Sequence, residues 1–368
     1  MTTIKIPAGS SIDQYLKSNR NNTEFRLESG TYVTGGNWAF DGLDHTMLGP
    51  GCRLIGAGSG STRIWCDPAL VNPKAAQHEA ITAGSRTYEC GFVEVSGISI
   101  QCPRSPKIGN IGLHVWSDRC IVRDVEVCGL SGYRSVAGDP SRESFGILIN
   151  RSGKPQDVGG SIVENVTIRT SGTMETENYC CGLYVGIVEP EHKSFVRNAV
   201  VTNYHNVLAH AAFGTNGGVI WTSCSNDGRW NRAIFCDTSG GSGTIFSACH
   251  LVARSVAVEF RGPDGIEWRN IMASGCIIEV APDVDSAYCA GLVLARDGKV
   301  GPKFKNVTLQ SCQLVSRAIG RVELYVGSID NDNVEACGTR DCTAIGWRPT
   351  IIGNTVTRHS WRDIDLAT

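Results

Sequence analysis

Gly112-Leu113-His114-Val115-Trp116, Gly146-Ile147-Leu148-Ile149-Asn150 and Gly182-Leu183-Tyr184-Val185-Gly186 are three copies of one phrase: small residue, apolar, any, apolar, any. Further copies follow as Asn206-Val207-Leu208-Ala209-His210, Ala233-Ile234-Phe235-Cys236-Asp237, Ala257-Val258-Glu259-Phe260-Arg261 and Gly291-Leu292-Val293-Leu294-Ala295. Alternation of this kind reads as a strand with one face inward, and its return along the chain reads as a solenoid. The intervals between first apolar positions are 34 (Leu113 to Ile147), 36, 24, 27, 24 and 34 residues. A coil of two or three short strands with corners takes roughly 22–28 residues, so the longer intervals carry extra loops.

Each phrase is followed by a second strand, often with Asn or Asp in its middle: Ile121 to Val127 around Asp124, Ile162 to Ile168 around Asn165, and Phe304 to Leu309 around Asn306. Gly, Asn, Asp and Ser between strands suit tight corners. No helix-period segment recurs, which argues against an αβ solenoid. One amphipathic stretch, Ser10 to Asn19, places Ile12, Tyr15 and Leu16 on one face behind Ser11 as N-cap. A short helix there would close the open end of the stack.

The expected fold is therefore all-β: a single-domain right-handed parallel β-helix over residues 1–368. A cap with the first strands occupies 1–44, coils 45–330 and a C-terminal cap region 331–368. The pattern resembles the pectin-lyase-like superfamily over about residues 45–360, judged as a repeat-unit match. That resemblance implies a carbohydrate-active protein with its groove along one strand face, a setting that also serves tailspikes, epimerases and fructotransferases.

With a net charge of -2, the chain has no basic footprint for nucleic acid or for a membrane surface. It has no apolar run long enough to span a bilayer. Met1 to Pro7 lacks the apolar core of a signal peptide, which leaves both export with the signal removed and a cytoplasmic home open. Of the 16 cysteines, Cys224, Cys249, Cys276 and Cys312 fall in similar phrases and read as a row of buried thiols in equivalent slots. Cys337 and Cys342, in a polar segment, are the better disulfide pair. No zinc-site spacing, dinucleotide fingerprint, P-loop or nucleophile elbow occurs, so neither metal nor cofactor is expected. Asp330 to Asn333 starts like a calcium loop but lacks its Gly and Glu.

Stacking at roughly 4.8 Å turns the phrases into rows. One outward row holds His114, Leu148, Tyr184, Leu208, Phe235, Glu259 and Val293; the next holds Trp116, Asn150, Gly186, His210, Asp237, Arg261 and Ala295. Aromatic rings beside carboxylates suit sugars, and the small residue opening each phrase would let a ligand approach the backbone. Asp237 and Glu259 are the candidate catalytic carboxylates, with Cα atoms roughly 8 Å apart, a spacing that admits either glycosidase geometry. His210 is a candidate acid or base. Trp116, Asn150, Tyr184, Arg261 and His114 are candidate substrate-binding residues. A surface ion pair between Asp237 and Arg261 is the plain alternative.

Glu143, Glu175 and Glu177 on the long loops are reserve acids. The polygalacturonase motifs do not match Ser144-Phe145-Gly146, Cys180-Cys181-Gly182 or Thr215 to Gly218, so that mechanism is not carried over. The expected partner is a poly- or oligosaccharide, acted on by hydrolysis or transglycosylation. A uronate lyase or epimerase and a non-catalytic tailspike-like module are the alternatives, and a homotrimer fits either.

Overall fold

The computed structural model describes residues 1–18, 21–38, 47–67, 77–84, 91–102, 109–117, 119–130, 144–150, 160–170, 178–186, 193–204, 209–236, 241–281, 290–295, 300–317, 325–328, 334–346 and 364–367. The fold is an all-β parallel β-helix. It divides into two compact units, Met1–Gly186 with Ala199–His210, and Ile187–Asn198 with Ala211–Thr368.

In the first unit the phrase strands Gln77–Ala83, Gly109–Trp116, Ser144–Asn150 and Asn178–Gly186 pair in parallel. Leu113, Ile147 and Leu183 are in register, as are Val115, Ile149 and Val185, and all six are buried. The second unit repeats this with Trp230–Cys236, Val256–Phe260 and Ala290–Leu294, placing Ile234, Val258 and Leu292 in one core row. Full burial of each such side chain contributes about 1.5–3 kcal/mol.

The small residue that opens each phrase does something other than expected. A Cβ added at Gly112 would overlap Val127, and one at Gly146 would overlap Ile168. Val127 and Ile168 are wholly buried, so Gly112 and Gly146 face the core, just before Leu113 and Ile147, which face it too. The strand turns a corner there, with two consecutive residues inward. The position is small because the opposite wall and the next coil's carbonyl fill the space, and it offers no approach for a ligand.

The mid-strand Asn and Asp residues also mark corners. Asp124, Asn165, Asn270 and Asn306 have φ of 52°, 53°, 54° and 55°, the left-handed region that Asn and Asp tolerate best. Asn165 accordingly splits its expected strand into Ile162–Glu164 and Thr167–Thr170. Outward side chains at these corners stack: Asn165 Nδ2 donates to Asp124 Oδ1 at 3.2 Å, and Asn306 Nδ2 to Asn270 Oδ1 at 3.1 Å.

In the second unit the residue after a left-handed corner is a buried cysteine six times over among the described residues: Cys224, Cys249, Cys276, Cys312, Cys337 and Cys342. Each thiol donates to the carbonyl two residues back and to one on the preceding coil, as Cys312 does to Gln310 (3.3 Å) and Ala273 (3.4 Å). The expected thiol row is thus present. The expected Cys337–Cys342 disulfide is not: both are free and buried, and Cys342 continues the row beside Cys312. Their segment is polar in sequence, yet the corner turns both thiols inward.

The helix is shorter than expected, Asp13–Ser18. Ser11 Oγ accepts from Asp13 N at 3.4 Å, and Ile12 and Leu16 are fully buried while Tyr15 is half-buried. Asp13 Oδ1 and Oδ2 accept from the Thr34 hydroxyl (2.6 Å) and Gly35 N (2.8 Å), tying the helix to the strand Gly30–Thr34.

Gly146→Ala is expected to lower stability by about 1–3 kcal/mol through overpacking. Gly60→Ala, where an added Cβ meets nothing within 4 Å, should change it by less than about 0.5 kcal/mol. Equal denaturation midpoints for the two variants would refute the inward corner. Iodoacetamide should label Cys249, Cys276 and Cys312 only after denaturation, and a non-reduced digest should contain no linked Cys337–Cys342 peptide.

Candidate functional site

In the first unit the inward corner decides what the phrase sheet presents outside. Because Ala80 and Ile81 both face inward, as Gly112 and Leu113 do, the residues on either side of the corner, Glu79 and Thr82, both face outward. The register sets His114 opposite Thr82 and Ile111 opposite Glu79. His114 Nδ1 and Glu79 Oε1 lie 2.8 Å apart, and the Thr82 hydroxyl donates to Glu79 Oε2 at 2.7 Å. The pair is covered, with His114 3% and Glu79 5% exposed.

Burial works against the charge of Glu79. The charge and hydrogen bond of His114, the Thr82 hydroxyl and the charge of His78 together outweigh it, and the carboxyl sits below its ordinary value. His78 itself faces the other way, near Cys66 and within 2.8 Å of the Gly35 carbonyl oxygen. Burial lowers its pKa, with that carbonyl opposing.

Half-exposed aromatic rings lie on the same face. Trp116 sits 4.4 Å from the His114 ring, centroid to centroid, with a tilt of 36°. Phe145 and Tyr184 meet edge to face at 6.0 Å. Tyr184 is in register with Leu148, which is in register with His114, and Trp116 is in register with Asn150.

In the second unit the corresponding face carries a carboxylate between two guanidiniums. Glu259 Oε2 accepts from Arg232 Nε, and its Oε1 lies 3.6 Å from Arg261 Nε. Arg232 also lies over the Phe235 ring at 4.8 Å. Glu259 is buried, in register between Phe235 and Val293. Two other buried carboxylates are gripped from neighbouring strands in the same way. Glu94 lies between Arg53 (3.6 Å) and Arg123 (2.6 Å), and Glu279 between His250 (3.3 Å) and Arg317 (2.5 Å). Neither belongs to a phrase strand, so the grip serves to hold coils together wherever it occurs.

Of the residues singled out from sequence, His114, Trp116, Asn150, Tyr184 and His210 belong to the first unit, and Glu259 and Arg261 to the second. His210 is half-buried at the start of the strand Ala209–Thr215. Asp237, Glu143, Glu175, Glu177 and the Asp330 to Asn333 stretch lie outside the described residues. His114 is a buried partner of Glu79, where the row pattern makes it an outward substrate contact. Glu79, Thr82 and Arg232 were not among the candidates. Ala80-Ile81-Thr82-Ala83 has the phrase's small–apolar–any–apolar start and could have revealed Glu79.

No family model matches the chain, and no curated protein matches it in sequence. Solved structures do match it. The tailspike protein of E. coli bacteriophage HK620 aligns with a TM-score of 0.51 at 12% identity, over 99% of this chain and 71% of that one. A structure of the same tailspike in complex with a pentasaccharide gives 0.50 at 12%, over 99% and 71%. The Dettilon tailspike protein gives 0.50 at 12%, over 100% and 69%. The Azotobacter vinelandii mannuronan C-5 epimerase AlgE4 A-module gives 0.48 at 12%, over 97% and 94%. At this identity the likeness to the tailspikes shows the fold alone.

Glu79 binds its proton less readily folded than unfolded. Its contribution to stability is complete above the ordinary glutamate value of about 4.3 and is lost as the pH falls from there through the lowered folded value. Denaturant melts between neutral and acid pH should therefore show a steeper acid loss for wild type than for Glu79→Gln. Parallel curves would remove the ionised pair.

Proposed function

We propose that the chain is a carbohydrate-active protein that holds a poly- or oligosaccharide on the outward phrase face of the first unit and hydrolyses or transfers it. One observation carries this reading: the half-exposed rings of Trp116, Phe145 and Tyr184 share that face with the buried Glu79–His114 pair. Sugar rings stack their C–H faces on aromatic surfaces, and their hydroxyls seek charged acceptors. An outward-facing ionic pair that is also buried carries a desolvation cost, and such groups concentrate where chemistry is done. The pentasaccharide held by the HK620 tailspike supports the substrate class.

A second reading, saccharide binding without turnover, has its own support. Both oxygens of Glu259 face arginines, and the same grip recurs at Glu94 and Glu279, away from the phrase sheet. That assigns Glu259 to coil clasping and weakens the mechanism in which Asp237 and Glu259 share the acid and base roles. A uronate lyase or epimerase remains the other enzymatic form of the proposal.

The test is to incubate the purified chain with a panel of neutral and acidic polysaccharides. New reducing ends report hydrolysis, unsaturated-uronate absorbance reports elimination, and retention on immobilised polysaccharide reports binding. Turnover with new reducing ends is expected. Asp237→Asn and Glu259→Gln then sort the carboxylates. Paired catalysis predicts a loss of at least about 100-fold in both, whereas clasping predicts that Glu259→Gln lowers the melting temperature and leaves turnover in place. A protein that neither binds nor alters any member of the panel would end the proposal.

A further inference from the structure

We propose that Arg232 is an oxyanion-binding residue on the phrase face of the second unit and that it takes the carboxylate of an acidic saccharide; this rests on the reading of the chain as saccharide-binding. The inward corner puts it there. In the strand Trp230–Cys236 the consecutive residues Ala233 and Ile234 are both buried in the core. Arg232 and Phe235, on either side of them, therefore share the outward face, as Glu79 and Thr82 do around Ala80 and Ile81. Plain alternation would send Arg232 and Phe235 to opposite faces.

The guanidinium is held on two sides. Its Nε donates to Glu259 Oε2, and its central carbon lies 4.8 Å from the centroid of the Phe235 ring. A side chain fixed in this way has little rotamer freedom left to lose when a ligand arrives. Nε is its one engaged nitrogen: Nη1 and Nη2 make no hydrogen bond among the described residues, and neither belongs to the buried groups left without a partner. With 17% of the side chain exposed, those terminal N–H groups are the part of Arg232 that remains for a ligand. Two parallel N–H groups match the two oxygens of a carboxylate.

The clasp at Glu279 provides the contrast. Arg317 places both Nε (2.5 Å) and Nη2 (3.4 Å) on that carboxylate, and its side chain is 67% exposed. Its fork is engaged within the coil stack and its charge is screened by water. Arg232 commits only Nε, and its partial burial strengthens whatever its other end meets. Glu259 does not belong to Arg232 alone, since its Oε1 lies 3.6 Å from Arg261 Nε. Beside the pair, Val256, in register with Arg232, and Val293, in register with Glu259, pack together with Ala295. Apolar side chains and the half-buried Phe235 ring suit the C–H face of a sugar, while Arg232 meets the charged group that a neutral sugar lacks. Glu259 acts here as a positioning residue: by engaging Nε it turns the end of the guanidinium away from the clasp.

The experiment measures binding of the full chain to matched pairs of polysaccharides. Polygalacturonate, alginate and hyaluronate are each compared with the same polymer after its carboxyls are reduced to alcohols, and dextran sulfate is compared with dextran. Wild type is expected to prefer an acidic form to its reduced form, with a preference that shrinks as salt is added. Arg232→Gln should raise the Kd for that acidic form about 10–100-fold and leave the Kd for the reduced form within about threefold. Arg232→Lys keeps a cation against Glu259 and so guards against loss of the fold; a single ammonium cannot bridge both carboxylate oxygens, so its Kd for the acidic form should still rise by at least about threefold. Arg317→Gln should change neither Kd. Equal weakening toward both forms in Arg232→Gln, or the wild-type preference in folded Arg232→Lys, overturns the proposal. A preference for dextran sulfate without one for any uronate overturns the carboxylate as its ligand. Wild type that binds reduced and acidic forms alike overturns the proposal and leaves the saccharide reading standing. Wild type unbound by every polymer overturns both.

Discussion

Two consecutive residues pointing into the core, the small opener of each phrase and the apolar residue after it, are the constraint on which the rest of the structure depends. A straight strand alternates, so Glu79 and Thr82, three residues apart, would face opposite ways. The inward corner at Ala80 and Ile81 reverses the alternation between them. Glu79 thereby reaches the same face as His114, and the ionic pair forms across adjacent coils. The requirement for a small side chain is steric: Val127 and Ile168 already occupy the space beside Gly112 and Gly146.

A second kind of corner organises the other strands. Left-handed residues such as Asp124, Asn165, Ser311 and Asp341 bend the chain outward at one residue and drive the next one into the core. In the first unit that next residue is Val125 after Asp124 and Val166 after Asn165; in the second it is cysteine at six corners among the described residues. The thiols fill a slot of fixed size and donate to carbonyls facing them. Shielded from water and donating to backbone carbonyls, they pack as small side chains, and the cysteines are free among the described residues.

Charge is used in two ways on these faces. The clasps at Glu94, Glu259 and Glu279 join neighbouring strands through arginine, with His250 as a second partner at Glu279. The Glu79–His114 pair joins neighbouring strands through a buried contact between imidazole and carboxylate, beside a half-exposed tryptophan. The first arrangement explains why charged outward rows are a poor guide to catalysis in a solenoid.

The sequence by itself determined the repeat and most core rows and their register, because an alternation of apolar residues with a small opener has one economical way to stack; the copy read at 206–210 is out of frame, since its strand is Ala209–Thr215 and His210 opens it instead of ending it. His114, Leu148 and Tyr184 fall in one row as the phrases require, and so do Phe235, Glu259 and Val293. It also placed the thiol row and the capping helix, whose side chains follow from local pattern. Only the tertiary structure decided the partners. That Glu259 lies between Arg232 and Arg261, that Cys342 continues the thiol row instead of bridging to Cys337, and that Glu79 meets His114 each depend on which way a chain bends at a corner. That bend follows from the packing against it, which alternation along a single strand does not record.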